Sequence, residues 1–480
     1  MLFNSFSFLV FIVIVVPLFY LLSHKYRWLL LLIASCLFYA FYIPAYLLVL
    51  FAIITIDYFA AIQIEKATFK HKKKYLLLSL LGNLGILFFF KYYNFFIDNI
   101  NQLANTFPFI KTRLQHLDII LPIGLSFHTF QAISYVVEVY KGRQKPEKNY
   151  GIYALYVMFF PQLVAGPIER PQNMLHQFHT NKKFDFNNIA SGIRYILWGL
   201  FMKAVIADRL AIPVDTVFNN PGGWSGLCVI FATLFFAMQI YCDFAGYSYM
   251  ALGIARLMGF NLMFNFRQPY FSKNISEFWT RWHISLSTWF KDYVYIPLGG
   301  NRVGQSKMFF NLLIVFLLSG LWHGASWTFV AWGLFHCLLM IAYHIYKTYF
   351  PTIKVSNAIT TTVTFVFVCL GWIFFRAKNM HDAKQLFASI FNFSKTYFSI
   401  LDDGTHGIRA GILGLPVWSF MYCFFLVPVF LYLDNYVGKG KAATIKSKSF
   451  FIRWCVYNAM IVIIFLFGIF GFREFIYFKF

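Results

Sequence analysis

Charge is scarce in this 480-residue chain, and acid is scarcer still: 12% of residues are charged, with 18 Asp+Glu against 41 Lys+Arg, while 60% are hydrophobic. Apolar runs repeatedly reach the roughly 20 residues that a helix needs to cross about 30 Å of hydrocarbon, which makes this an integral membrane protein. Alternating strands are missing: residues 76–90 and 461–470 are apolar on all sides, which excludes a lipid-embedded barrel and leaves helices. The seven cysteines, Cys36, Cys228, Cys242, Cys337, Cys369, Cys423 and Cys455, stand singly without CxxC or Cys/His spacing, so neither a disulfide framework nor a metal site is indicated. A basic start and a small-residue cleavage site are also missing, and residues 3–22 are expected to stay as a helix rather than leave as a signal peptide. No soluble domain, low-complexity linker or internal repeat is visible, which disfavours transporters built from duplicated halves.

The net charge of +23 sits in short loops between apolar segments, the pattern of the positive-inside rule rather than of nucleic-acid binding. The clusters are Lys25 with Arg27, residues 66–74 with a KHKKK run, residues 141–148 and residues 439–453. With all four on the cytoplasmic side, residues 3–22 enter, residues 28–43 and 46–64 form an outward hairpin turning near Pro44, and both termini face outward. The whole chain reads as about eleven crossings.

Polar residues inside such a chain are the functional candidates, because an ionisable group in lipid is costly. The stretch NISEFWTRWHISLSTWFKDYVYIPLGGNR begins at Asn274. Placed on one helix, residues 275–293 separate into a polar side with Glu277, Arg281, Ser285, Thr288 and Asp292 and an apolar side with Trp279, Trp282, Leu286, Trp289, Phe290 and Tyr293, as in a helix lying along the interface. Glu277 and Arg281 stand four apart in the favourable order. His283 falls on the apolar side near Trp279 and Phe290, where it either fixes the helix through a backbone carbonyl or serves catalysis or substrate binding.

Residues 308–346 form a run of 39 with almost no charge, which as one helix would span roughly 58 Å, far beyond a bilayer. It must bend, break or tilt. Gly320 and Gly324 bracket Trp322 and His323, so the irregularity is expected beside this histidine, and irregular backbone at membrane depth belongs where it is buried in protein or lines a cavity. An imidazole there suits a general base acting on a hydroxyl or thiol; the alternative is an interhelical hydrogen bond. His336 and His344 are expected nearer a membrane face. Gln239, Asp243 and Tyr247 recur every four residues and share one helical face, which suits the lining of a polar passage or close helix packing beside Ala245 and Gly246. LPIGLSFHTFQAISYVVEVYKG carries His128, Gln131 and Glu138. FFPQLVAGPIERP carries Gln162, Glu169 and Arg170 between prolines and reads as a loop or re-entrant element.

These segments, in order with LGWIFFRA and the terminal GFREFIYFKF, resemble the membrane-bound O-acyltransferase family from about Pro122 onward, and within it the branch of bacterial alginate and peptidoglycan O-acetylation membrane subunits. The resemblance implies a single all-α polytopic domain, residues 1–480, in which residues 1–121 supply N-terminal helices, 122–346 the core motifs and 347–480 C-terminal helices, with interfacial and re-entrant helices around a central tunnel. It implies that His323 and His283 are the family histidines, that Asn274, Trp279, Arg281, Gln239, Asp243, Tyr247 and Trp322 lie along substrate or tunnel, and that Tyr249 stands where relatives often carry Asp. Acetyl-CoA is the implied donor, with no tightly bound cofactor. A cell-envelope glycan is the implied acceptor, and a periplasmic or membrane-anchored SGNH-hydrolase-like protein the implied partner, at a bacterial cytoplasmic membrane. The rival readings are a transporter or flippase for a lipid-linked glycan, a non-catalytic assembly subunit, and acylation of a lipid or protein hydroxyl.

Overall fold

A computed structural model describes the chain except for residues 107–112, 165, 351–354, 393–398, 403–407, 414, 438–448, 471–474 and 477–480. Most of the 439–453 basic cluster and most of the terminal motif therefore lie outside the described residues. The chain forms two compact units, one of residues 1–196 and 248–264, the other of residues 197–247 and 265–480.

In the first unit the helices are α1 (Phe6–Leu21), α2 (His24–Ala40), α3 (Tyr46–Lys66), α4 (Phe69–Leu87), α5 (Tyr93–Thr106), α6 (Leu125–Tyr140), α7 (Tyr150–Met158) and α8 (Pro171–His179), followed by α9 (Phe186–Leu200), which runs on past residue 196. Pro44 falls between α2 and α3, as the hairpin reading expects. α6 packs on α3 and α4, and its polar residues find local partners, as groups buried away from water must. Gln131 Nε2 donates to the Tyr156 carbonyl at 2.6 Å, and Glu138 accepts from Gln172 Nε2 at 2.6 Å. Asp57 of α3 is fully buried yet accepts from Ser79 Oγ at 2.5 Å and Asn83 Nδ2 at 2.8 Å on α4. The segment between α7 and α8 is a buried loop. Its Glu169 accepts from Asn173 Nδ2 and from the Met263 backbone N–H, each at 2.5 Å.

In the second unit a π-helical stretch, Phe201–Ala207, leads into α10 (Asp208–Phe218), and α11 (Gly226–Leu257) contributes its first part. Two short helices follow, α12 (Ile275–Arg281) and α13 (Ile284–Phe290), then α14 (Gln305–His323), α15 (Trp327–Tyr349), α16 (Asn357–Arg376), α17 (Met380–Ile390), α18 (Val417–Tyr436) and a further helix, Phe450–Phe467. Three short antiparallel strands, Ser399–Asp402, Ile408–Ile412 and Leu415–Pro416, are added to the all-helical architecture that the sequence predicts. Eight helices among the described residues are long and apolar enough to cross a membrane, and Phe6–Leu21 and Phe451–Phe467 are shorter apolar ones.

α14 and α15 pack as a tight hairpin because their facing positions carry no side chain. A Cβ added at Gly320 would stand 2.2 Å from the Phe329 carbonyl oxygen, and one at Gly333 2.3 Å from that of Phe316. Such small-residue contacts let membrane helices meet backbone to backbone.

Candidate functional site

Both family-type histidines stand at breaks in helices. The predicted interfacial helix over residues 275–293 is not continuous: α12 ends at Arg281, and α13 starts at Ile284. His283 between them has φ 41° and ψ 56°, the left-handed conformation, which is uncommon outside glycine and costs of order 1–3 kcal/mol unless the surroundings enforce it. Asn265 supplies part of that enforcement. Its carbonyl accepts from the Ile284 N–H at 2.9 Å and its Oδ1 from the Ser285 N–H at 3.3 Å, satisfying donors that the start of α13 would otherwise leave open. The break also corrects the expected neighbourhood. His283 meets the Phe244 ring edge-on at 4.6 Å and lies 5.9 Å from Trp322, whereas Trp279 packs against Phe316, Trp332 and His336.

The second break falls where the length of the apolar run demands it. α14 ends at His323, Gly324 is extended, and Ser326 caps α15 by accepting from the Thr328 N–H. His323 is ringed by Trp322 at 5.0 Å, Trp332 at 5.0 Å and Phe375 at 5.2 Å, centroid to centroid. The His283 and His323 centroids are 6.4 Å apart, and their side chains are 1% and 3% exposed. Burial among apolar rings pushes the His283 pKa down to about 3, so this imidazole is neutral at physiological pH.

His336 is fully buried. Its ring lies 5.1 Å from Trp279 and 4.9 Å from Trp332 and is parallel to Phe278 at 6.4 Å. Trp332 thus touches both His323 and His336. Trp372 stacks 6.2 Å from Trp332 and packs 4.9 Å from Trp282, completing an aromatic wall whose α15 and α16 members no motif singles out for chemistry.

The other candidates separate into structural and adjacent residues. Asn274 caps α12: its Oδ1 accepts from the Glu277 N–H at 2.8 Å, while Glu277 Oε2 accepts from the Lys273 N–H at 2.8 Å, a variant of the capping box. Arg281 makes the expected i,i+4 pair with Glu277 at 2.5 Å. Trp322 lies beside both histidines. Gln239, Asp243 and Tyr247 share one buried face of α11, as predicted, but Asp243 has strong partners of its own. Lys203 Nζ stands 2.6 Å from its Oδ1 and 2.9 Å from Asp208 Oδ1, and the Ile476 N–H donates to its Oδ2 at 2.7 Å. Tyr249 belongs to the first unit, stacked 6.1 Å from Tyr195. An apolar cavity of about 860 Å³ lies between α15 and α16 and reaches Asn274. Neither His283 nor His323 lines it.

The family model described as MBOAT, membrane-bound O-acyltransferase family, matches residues 149–381, which includes both helix breaks and the aromatic wall. The probable alginate O-acetylase AlgI of Pseudomonas putida is 38% identical over 445 residues, 90% of this chain and 87% of that protein. The chain belongs to the membrane-bound O-acyltransferase family. A second family relative, the peptidoglycan O-acetyltransferase of Helicobacter pylori, is 38% identical over 388 residues, 74% of this chain and 72% of that protein. The teichoic acid D-alanyltransferase of Bacillus subtilis is 29% identical over 301 residues, 58% of this chain and 75% of that protein. The protein is thus a membrane O-acyltransferase whose relatives act on cell-envelope polymers. The two imidazoles are buried among aromatic rings within the span that the family model matches.

Proposed function

We propose that this enzyme moves an acetyl group from cytoplasmic acetyl-CoA to a hydroxyl of an extracytoplasmic polysaccharide, at a bacterial cytoplasmic membrane. The observation that carries the reading is the pair of buried imidazoles at helix breaks, 6.4 Å apart, in a chain whose relatives include an O-acetylase named for alginate and an O-acetyltransferase named for peptidoglycan.

His323 acts as general base. It takes the proton of the acceptor hydroxyl as the oxygen adds to the thioester carbonyl; the C–S bond then breaks, and the CoA thiolate leaves with that proton. His283, neutral and locked by Asn265, positions donor or acceptor. Trp322 contacts both imidazoles and with Trp332 keeps water out. Basic loops draw the nucleotide phosphates to the cytoplasmic mouth. A periplasmic or membrane-anchored SGNH-hydrolase-like partner completes delivery to the polymer, and both termini of this chain face outward.

The test is purified protein in proteoliposomes supplied with acetyl-CoA and an acceptor glycan. Release of CoA thiol together with ester-linked acetate on the acceptor supports acyl transfer. Glycan movement without thiol release supports a transporter instead. Loss of acetate from one envelope polymer on deletion of the gene identifies the acceptor.

A further inference from the structure

Asp243 immediately precedes Phe244, the residue whose ring meets the His283 imidazole at 4.6 Å. A buried carboxylate in a membrane helix is expensive unless paired and hydrogen-bonded. This one is held twice, by Lys203 on Oδ1 at 2.6 Å and by the Ile476 N–H on Oδ2 at 2.7 Å. The second contact joins residues 233 positions apart. It also sets the neighbouring ring: Phe475 lies 5.6 Å from Phe244 and 5.1 Å from Tyr247. Lys203, Asp243 and Phe475 are 4%, 3% and 1% exposed, so the whole arrangement is sealed in the second unit. A second tie, from the Ile469 N–H to the Ala204 carbonyl at 3.0 Å, lies one residue along from Lys203.

We propose that Lys203, Asp243 and Phe475 form a latch that fastens Phe475 and Ile476 onto α11 and thereby positions His283 through Phe244. They are positioning residues and touch no substrate. The rationale is mechanical. His283 sits in a left-handed backbone conformation, and its ring rests on Phe244; Phe244 in turn is backed by Phe475. Removing the backing ring leaves Phe244 free to change rotamer, and misplacing a site group by about 1 Å costs up to roughly a hundredfold in rate. The proposal rests on the acyl-transfer reading for its kinetic effect but not for its structural one.

The experiment uses full-length protein in proteoliposomes carrying Phe475→Leu, which keeps an apolar side chain and removes the ring, Phe475→Tyr, which restores it, and Asp243→Asn, which keeps an acceptor for Ile476 and gives up the negative charge that faces Lys203. Each is assayed for acetyl transfer from acetyl-CoA and for carbethoxylation of His283 by diethyl pyrocarbonate, read by peptide mass spectrometry. The expected result for Phe475→Leu is a kcat lowered by about tenfold or more with KM for acetyl-CoA nearly unchanged, recovery in Phe475→Tyr, and faster labelling of His283. A folded Phe475→Leu protein with wild-type kcat and wild-type protection of His283 overturns the latch. If Phe475→Leu does not fold, Asp243→Asn is judged by the same two readouts. If His323→Ala turns over normally, the acyl-transfer reading falls, while the labelling of His283 still decides the latch.

Discussion

The imidazoles of His283 and His323 lie 6.4 Å apart, centroid to centroid, with planes 53° from parallel, although 40 positions separate them in the chain. Each occupies the residue at which a helix stops or restarts. Backbone irregularity and ionisable chemistry therefore coincide, as expected where non-helical backbone is tolerated only inside protein.

The left-handed backbone at His283 separates conformational cost from chemistry. Asn adopts this conformation more readily than Ala. His283→Ala is expected to be less stable than His283→Asn by about 1 kcal/mol, and both are expected to lose most of their acetyl transfer. Thermal unfolding in detergent alongside turnover in proteoliposomes checks this; equal stabilities contradict the enforced backbone.

Burial of His283 makes the protein sensitive to acid. Its pKa falls from the ordinary 6.5 to about 3 in the folded chain. Above pH 6.5 the imidazole is neutral whether folded or unfolded, and its contribution to stability is fully present. As pH drops from 6.5 toward 3 the unfolded chain binds a proton that the folded chain refuses, so stability is lost. The melting temperature is expected to fall between pH 7 and pH 5, and to fall less steeply in His283→Gln.

Trp332 joins the surroundings of His323 and His336 and is fully buried. Trp332→Ala is expected to cost about 3–5 kcal/mol through the cavity it leaves, and Trp332→Phe much less. On the proposed role of the wall in keeping water out, Trp332→Phe is expected to raise hydrolysis of acetyl-CoA without acceptor relative to transfer, measured as thiol release in each condition.

Gly320 and Gly333 test the hairpin that places His323. Gly333→Ala puts a methyl group 2.3 Å from the Phe316 carbonyl oxygen and forces α14 and α15 apart. A loss of transfer with folded protein is expected; unchanged kinetics contradict the view that close helix approach sets the position of His323.

Much of this was legible in the residues. The break at His323 follows from arithmetic, since an uncharged run of 39 residues outlasts the bilayer and Gly320 and Gly324 mark where it yields. The helices α1 to α3 and the loop through Pro161 and Pro167 follow from apolar run length and proline placement. The break at His283 was hidden because the amphipathic period continues across it, and part of what holds it lies elsewhere, in Asn265. Lys203 carried a usable signal, a lone lysine in the apolar run FMKAVIA, but its partner Asp243 is 40 positions away and read equally well as a passage lining. The ring contacts of His336 could not be read from helical position; the packing of α12 against α15 places Trp279 over it. The hold of Ile476 on Asp243 uses a backbone N–H, which no residue type reveals.

The most direct measurement is acetyl transfer by purified His323→Ala protein in proteoliposomes, beside wild type and with folding verified by melting temperature. The account predicts a fall in CoA release and acceptor acetylation of at least about a hundredfold, the usual contribution of a general base. Turnover at the wild-type rate would contradict it.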